Sequence, residues 1–252
     1  MPLAEGGFTR DTFELWVRLR AGEGAPIWWV SEGTVRAFPS GELIAFMEGF
    51  DTAVAHWPEP GRASAHQYNR KIYLFRHPET GVFLESWNGQ KVDPIAYPYQ
   101  FITYALSGDR VETVVEQGTA PRVQRIGPAN NMAARAVSGG VVFTAPVFLD
   151  VPLPGGRRME AFENYDFVAS PERPFTQAPL SWLRTGAAPA WAGGGPCVMH
   201  LVSWRVERWE DVPDALRRRV EERYPLWKQP PADLAEVRRL QSGGVAGEGW
   251  PG

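Results

Sequence analysis

The sequence predicts a mostly β protein, an antiparallel, barrel-like sheet of about ten strands followed by a C-terminal helix. Apolar and polar residues alternate in many short segments, and Pro and Gly residues separate those segments. Because a sheet of this size tends to curl or close, we expect a lipocalin-like or calycin-like shape. A length of 252 residues suits a single unit of this kind.

The strand predictions follow the alternation along the chain. Residues 13–19 favour a strand, although a short helix entered from Thr9 or Asp11 is an alternative. Hairpins are predicted at residues 68–87 and 141–169, because Pro and Gly lie at their centres. The other predicted strands are residues 25–38, 43–56, 97–106, 110–116, 122–126 and 198–208.

The remaining segments set the limits of the domain. Residues 171–196 and 127–140 are rich in loop-forming residues and are predicted to form two long loops. A helix is predicted after Asp211, with Pro213 in its first turn and an end at Pro225. We therefore expect one domain over residues 8–231 and a partly disordered tail over residues 232–252.

Charge and composition exclude several classes of partner. The net charge of −3 and the mixing of acidic with basic residues argue against a nucleic-acid partner. No segment reaches the roughly 20 apolar residues that a membrane span needs. Residues 1–7 lack the features of a secretory signal, so we expect a cytoplasmic protein, with a removed export signal as the alternative. The possibility of a homodimer is left open.

Familiar cofactor motifs are missing from the sequence. It contains no Gly-rich dinucleotide fingerprint, P-loop, nucleophile elbow, HExxH pair or CxxC pair, and Cys197 is its single cysteine. The histidines at positions 56, 66, 77 and 200 do not follow a metal-ligand spacing. We therefore predict no cofactor, although ligands that converge from different strands would escape this test.

Strand alternation predicts which charged residues point inward. Glu48, Glu163 and His200 each share an alternating phase with apolar residues of their segment. We hypothesise that the three converge on one pocket and transfer protons, since burial tunes carboxylates for this role and histidine needs little tuning. The competing interpretation is structural, in which an inward glutamate pairs with an arginine such as Arg184.

The ligand is predicted to be a small hydrophobic or aromatic molecule. The chain has eleven Trp, seven Tyr and thirteen Phe residues, which can line a pocket as well as fill a core. Arg184 can clamp a carboxylate or phenolate of the ligand, or pin its own loop. The aromatic residues predicted to face the ligand are Trp29, Tyr99, Trp182 and Trp204.

Several short motifs are spread over residues 8–231. They are residues 13–21, Gly33-Thr34-Val35, Glu48-Gly49-Phe50, Pro78-Glu79-Thr80-Gly81, Leu84-Glu85-Ser86-Trp87-Asn88, Trp182-Leu183-Arg184, and residues 216–231. With these motifs the chain resembles the bacterial and fungal family called domain of unknown function 1838, which implies a one-domain, sheet-rich protein and no particular reaction. Residues Gly89-Gln90-Lys91 follow Asn88 where the family has a longer segment, so the resemblance does not extend to a site built from that loop.

Three functions remain open at this point. The favoured hypothesis is a lyase, isomerase or cyclase that uses acid–base proton transfer, without a redox cofactor, on a small hydrophobic or aromatic metabolite. The second is a binding or carrier protein with the same pocket and no reaction. The third is a metal-dependent enzyme with His200 and inward glutamates as ligands.

Overall fold

The computed structural model describes residues 7–152, 158–170 and 172–243 of the chain. The helices of this part are α1 (Arg10–Ala21), α2 (Asp214–Arg223) and α3 (Leu234–Gln241). The strands are β1 (Ile27–Ala37), β2 (Leu43–His56), β3 (Ser64–Arg76), β4 (Ser86–Trp87), β5 (Gln90–Lys91), β6 (Ile95–Ser107), β7 (Arg110–Gln117), β8 (Gln124–Ala129), β9 (Ala133–Val137), β10 (Gly140–Pro152), β11 (Arg158–Ala169), β12 (Pro179–Ala187) and β13 (Pro196–Val206).

Eleven of these strands form one antiparallel sheet in the order β8-β7-β6-β3-β2-β1-β13-β12-β11-β10-β9, and β4 pairs with β5 separately. The sheet curls around α1. The ring of Trp16 lies 6.2 Å from Tyr104 of β6 and 5.4 Å from Phe143 of β10, strands near opposite ends of the sheet. This curled half-barrel confirms the predicted mostly β, barrel-like fold class.

The first element is a helix, so the strand predicted over residues 13–19 is wrong and the alternative is confirmed. Thr9 caps α1, because its side chain accepts from the backbone N–H of Thr12 while the Thr12 side chain accepts from the Thr9 N–H. Phe13, Trp16 and Val17 are buried, which is the spacing of one helix face. The apolar residues at alternate positions obscured this spacing.

The two faces of the sheet are covered by different helices. We call the concave face that packs on α1 the inner face, and the opposite face, part of which packs on α2 and α3, the outer face. Trp28 packs among outer-face residues near α2, whereas Trp29 packs in the cluster around α1. The two neighbouring tryptophans therefore point to opposite faces of β1, as successive side chains of a strand do.

Both predicted loops contain strands. Within residues 171–196, β12 pairs with β11 on one side and β13 on the other, so this part of the prediction is wrong. Within residues 127–140, β9 forms an edge of the sheet. The flanking Pro and Gly residues hid the alternation of buried Leu180 and Trp182 with less buried Ser181 and Leu183.

The predicted hairpins have different outcomes. Strands β10 and β11 pair along their length, as expected for residues 141–169. Residues 82–87 do not form a strand along β3; they make one bridge, between Phe83 and Arg76, and β6 takes the neighbouring place in the sheet. The segment after Arg76 therefore closes over one end of the sheet.

The C-terminal region covers part of the outer face. Helix α2 begins at Asp214 after Pro213, and Asp211 does not cap it, because its carboxylate pairs with Arg208 at 2.6 Å. Asp233 caps α3, a helix within the predicted tail, and α3 packs Val237 and Leu240 on the sheet. The folded body therefore extends beyond residue 231, and residues 244–252 lie outside the described part.

Candidate functional site

A layer of charged and hydroxyl-bearing side chains crosses the inner face between two hydrophobic clusters. One cluster surrounds α1, and the other lies toward the opposite end of the sheet around Phe75 and Trp191. Tyr165 contacts both clusters, so the layer lies where they meet. We call this set the inner polar layer: Arg20, Asp51, Lys71, Tyr73, Glu163, Tyr165, Trp182 and Arg184.

Asp51 organises one half of the layer. Its Oδ2 lies 3.0 Å from Nη2 of Arg20, and its Oδ1 lies 3.8 Å from Nζ of Lys71. The hydroxyl of Tyr73 donates to Oδ1 over 3.5 Å and lies 3.3 Å from the hydroxyl of Ser31. Since the side chain of Asp51 is 6% exposed, its charge is stabilised by these partners more than by water.

Glu163 organises the other half. Its Oε2 accepts from the hydroxyl of Tyr165 at 2.7 Å and from Nε1 of Trp182 at 3.2 Å. Its Oε1 lies 3.2 Å from Nε of Arg184. The structural interpretation of an inward glutamate paired with Arg184 is therefore observed, together with two neutral donors that the sequence analysis did not name.

Sheet register and curvature bring the two halves together. Asp51 lies opposite Lys71 in the β2–β3 pairing, and Glu163 lies opposite Arg184 in the β11–β12 pairing. Nζ of Lys71 then reaches the hydroxyl of Tyr165 at 3.4 Å, although four strands separate β3 from β11 in the sheet order. The result is a hydrogen-bonded path from Lys71 through Tyr165 to Glu163.

The tyrosines of the layer are weak acids. Burial, followed by the charge of Asp51, holds the pKa of Tyr73 well above its usual range. Burial and the neighbouring Glu163 do the same to the pKa of Tyr165, and burial raises the pKa of Tyr97. At neutral pH these phenols keep their protons, so Tyr165 is a donor toward Glu163.

A half-open cavity of about 400 Å³ adjoins the layer. Arg184 forms part of its wall together with apolar side chains that include Phe75, Ile95, Trp191 and Met199. Since Arg184 also pairs with Glu163, this residue links the cavity to the inner polar layer. The volume falls within the range of about 300–1,000 Å³ that is common for small-molecule sites.

The predicted convergence of Glu48, Glu163 and His200 is wrong, because only Glu163 lies on the inner face. Glu48 shares the outer face with Leu74, its partner in β3, and pairs with Arg76 at 2.8 Å. His200 is exposed and lies 3.1 Å from the hydroxyl of Ser181. Helices α2 and α3 cover only part of the outer face. The alternating apolar residues of β13 that share a face with His200 are therefore not all buried.

The predicted aromatic residues divide in the same way. Trp182 lies on the inner face, where its Nε1 donates to Glu163 of the inner polar layer. Trp29 is on the inner face but buried under α1, where its Nε1 donates to the carbonyl of Arg20 at 3.0 Å. Tyr99 packs with α3 and Trp204 packs near α2, so the prediction that these two face a shared pocket is wrong.

Sequence reasoning missed Asp51, Lys71, Tyr73 and Tyr165 as members of a site. In β2 the residues on both faces of the strand are buried, so the alternating set that contains Asp51 is as interior as the set that contains Phe50. A charged residue between Gly49 and Ala53 in such a strand indicates a paired interior charge. The sequence predicted that the sheet curls, but it did not predict which residues of β3 and β11 the curvature brings into contact.

Metal-binding residue types do not cluster in the described part of the chain. It contains no group of three or more His, Cys, Asp or Glu residues that could hold a metal ion. The hypothesis of a metal site built from His200 and inward glutamates is wrong, because His200 and Glu163 lie on opposite faces of the sheet.

The comparisons with known proteins add no relative. No protein-family model, no curated protein and no solved structure matches the chain. The resemblance to the domain of unknown function 1838 family therefore stays a prediction. Within residues 7–152, 158–170 and 172–243, no helix has the length and apolar character that crossing a membrane requires.

Proposed function

We propose that the chain is an enzyme, a lyase, isomerase or cyclase, that transfers protons on a small hydrophobic or aromatic metabolite without a redox cofactor. The observation that carries this proposal is the path from Lys71 through Tyr165 to Glu163, which ends beside the cavity at Arg184. Acid and base groups fixed next to an apolar cavity are what proton transfer to such a molecule needs.

In this proposal Glu163 and Tyr165 have different tasks. Glu163, paired with Arg184, is the base that accepts a proton from the bound molecule. Tyr165 keeps its proton at neutral pH because its pKa is raised, so it acts as the acid. Nζ of Lys71 donates a hydrogen bond to the hydroxyl of Tyr165. In an isomerisation the proton that leaves one atom is balanced by a proton that arrives at another.

Asp51 and Arg20 are positioning residues in this scheme. Asp51 lies within reach of Lys71 and Tyr73, and Arg20 fixes Asp51 from α1. Replacement of either residue would move Lys71 relative to Tyr165. We therefore assign the two residues to the orientation of the acid rather than to contact with the substrate.

The experiment is a turnover screen with matched variants. The full chain is incubated with phenolic, terpenoid and polyketide metabolites, and products are detected by mass spectrometry as isomers or as compounds that have lost water or carbon dioxide. We expect Glu163→Gln and Tyr165→Phe to lower kcat at least about 100-fold, the scale of acid–base catalysis. The outer-face variant His200→Ala is the control and should keep full activity.

A turnover that survives both inner-face variants would contradict this assignment. Equal loss in His200→Ala would return the chemistry to the outer face. In either case the inner polar layer would be a structural network.

A binding or carrier protein is the second candidate, and one observation favours it. Glu163 already has three partners, Tyr165, Trp182 and Arg184, as a structural carboxylate does. In that function a bound molecule is recovered chemically unchanged after long incubation. Mass spectrometry of the extracted ligand distinguishes the two candidates.

Three further predictions are kept as proposals. The cytoplasmic location fits a chain whose single cysteine, Cys197, is buried and free. Membership of the domain of unknown function 1838 family fits a one-domain, sheet-rich fold. The homodimer would be tested by the molecular mass in solution.

A further inference from the structure

One side of the cavity is apolar and suits an aromatic ring. The rings of Phe75 and Trp191 meet edge to face at a centroid distance of 4.9 Å, and Ile95 and Met199 are among the other apolar lining residues. The polar part of the lining is formed by Gln90, Lys91, Asp93 and Arg184. A volume of about 400 Å³ lies near the lower end of the range for small-molecule sites. The cavity therefore suits a compact molecule of one or two rings.

Arg184 brings unused hydrogen-bonding capacity to this cavity. Its side chain is 15% exposed, and its Nε lies 3.2 Å from Glu163, but their alignment is too poor for a hydrogen bond. No described residue accepts a hydrogen bond from its guanidinium. Because a guanidinium presents five donors in a planar fork, this arrangement leaves room for a bidentate partner.

Trp191 supplies a second unused donor in the same wall. Its Nε1 is buried and has no hydrogen-bond partner among the described residues, and its side chain is almost fully buried. A buried N–H without an acceptor is costly, so an acceptor on a ligand would relieve that cost. Asp93 carries a buried acceptor without a hydrogen bond in the same wall, but Nζ of Lys91 lies 2.8 Å from it, so the donors of Arg184 and Trp191 indicate a ligand that accepts.

The charges of the site favour an anion over a neutral acceptor. Lys91 at the cavity rim pairs with Asp93 at 2.8 Å, so these two charges balance. The inner polar layer contains three cations, Arg20, Lys71 and Arg184, against the carboxylates of Asp51 and Glu163. The layer as a whole therefore has one positive charge more than it has carboxylates, and Arg184 is its member in the cavity wall.

We propose that the cavity binds an aromatic carboxylate, with its ring against Phe75 and Trp191 and its carboxylate accepting from Arg184 and from Nε1 of Trp191. The inference names the ligand class of the site and rests on the proposed function. The carboxylate of the ligand would then lie on the side of the cavity that faces the inner polar layer, because Arg184 belongs to both.

The test is a binding measurement that needs no reaction. Isothermal titration calorimetry of the full chain compares three probes of one shape: 2-naphthoate, neutral 2-naphthamide and the cation (2-naphthyl)methylammonium. We expect naphthoate to bind at least about tenfold more tightly than naphthamide, since charged hydrogen bonds are stronger than neutral ones. The ammonium probe should bind most weakly.

Variants locate the carboxylate. Arg184→Gln should abolish the preference for naphthoate, and Trp191→Phe, which keeps a ring but loses the N–H, should reduce it several-fold. The outer-face variant Lys228→Gln, which removes an exposed cation away from the cavity, is the matched control and should keep the preference. If Arg184→Gln does not fold because Glu163 loses its partner, Trp191→Phe decides the question.

Equal binding of naphthoate and naphthamide, a preference for the ammonium probe, or no binding of any probe would overturn the inference. So would a preference that survives in both Arg184→Gln and Trp191→Phe. Tight naphthoate binding without turnover in the metabolite screen would contradict the proposed proton-transfer function but not the inference that the ligand is a carboxylate. Turnover of neutral compounds by a chain that does not prefer naphthoate would contradict the carboxylate inference but not the proton-transfer function.

Discussion

Replacement of Asp51 by Asn tests whether the inner polar layer depends on a buried charge. The side chains of Asp51 and Arg20 are 6% and 9% exposed, and their charged atoms lie 3.0 Å apart. Removal of one partner from a buried ion pair costs about 3–5 kcal/mol, because the other charge is left without compensation. Asn keeps one oxygen that can accept from Arg20, so we expect about 3 kcal/mol, the lower end of that range.

The loss is measurable by urea unfolding and by calorimetry. For a chain of this size, about 3 kcal/mol corresponds to a fall in Tm of about 6–12 °C. The control is Asp211→Asn, which removes an exposed pair with Arg208 and should leave Tm unchanged. A loss below about 1 kcal/mol in Asp51→Asn would refute the reasoning, because the charge would then be stabilised by water rather than by Arg20 and Lys71.

Three other predictions concern the outer face and the strand packing. Burial, with a smaller effect of His56, lowers the pKa of His66 in the folded state, so the free energy of unfolding should fall as pH drops through about 6.5. His66→Gln should flatten that pH dependence in unfolding curves recorded from about pH 7 to about pH 5. Gly33→Ala should prevent folding, since its Cβ would lie 1.9 Å from a main-chain oxygen of β13, whereas Gly61→Ala, with open space around it, should express and melt normally. Leu240→Ala should cost about 2–5 kcal/mol in urea unfolding because this α3 side chain is fully buried, and a loss below about 1 kcal/mol would show that α3 does not support the sheet.

The fold class was predictable because strand alternation is a local property. Strand β2 has the bounds that its pattern predicted, and β10 and β11 form the expected hairpin. Helix α1 and strand β12 were harder, for opposite reasons. In α1 the apolar residues fall at alternate positions as well as at helical spacing, whereas in β12 the flanking Pro and Gly residues resemble a loop.

The inward direction of side chains was only partly predictable. The phase of β11 was correct, and it placed Glu163 on the inner face with Phe167. In β2 the residues on both faces are buried. The more apolar alternating set, with Phe50, lies on the outer face, so choosing the inward set by its apolar character overlooked Asp51. Alternation identifies two faces of a strand, but it does not say which face encloses the site.

A bulge accounts for Tyr99. Asn69 pairs with Gln100 while Lys71 pairs with Tyr97, so one extra residue of β6 shifts the phase between these positions. Tyr97 lies opposite Lys71, whereas Tyr99 lies under α3. Long-range features of this kind, together with the curvature that brings Lys71 to Tyr165, are not written in local sequence patterns.

The central claim is that the inner face, and not the outer face around His200, handles the ligand. A crystal structure of the full chain grown with 2-naphthoate tests it most directly. We predict the naphthalene ring beside Phe75 and Trp191, and the carboxylate within hydrogen-bonding distance of Arg184. A naphthoate bound on the outer face beside His200, or a cavity that stays empty while the compound is absent from the crystal, would contradict the claim.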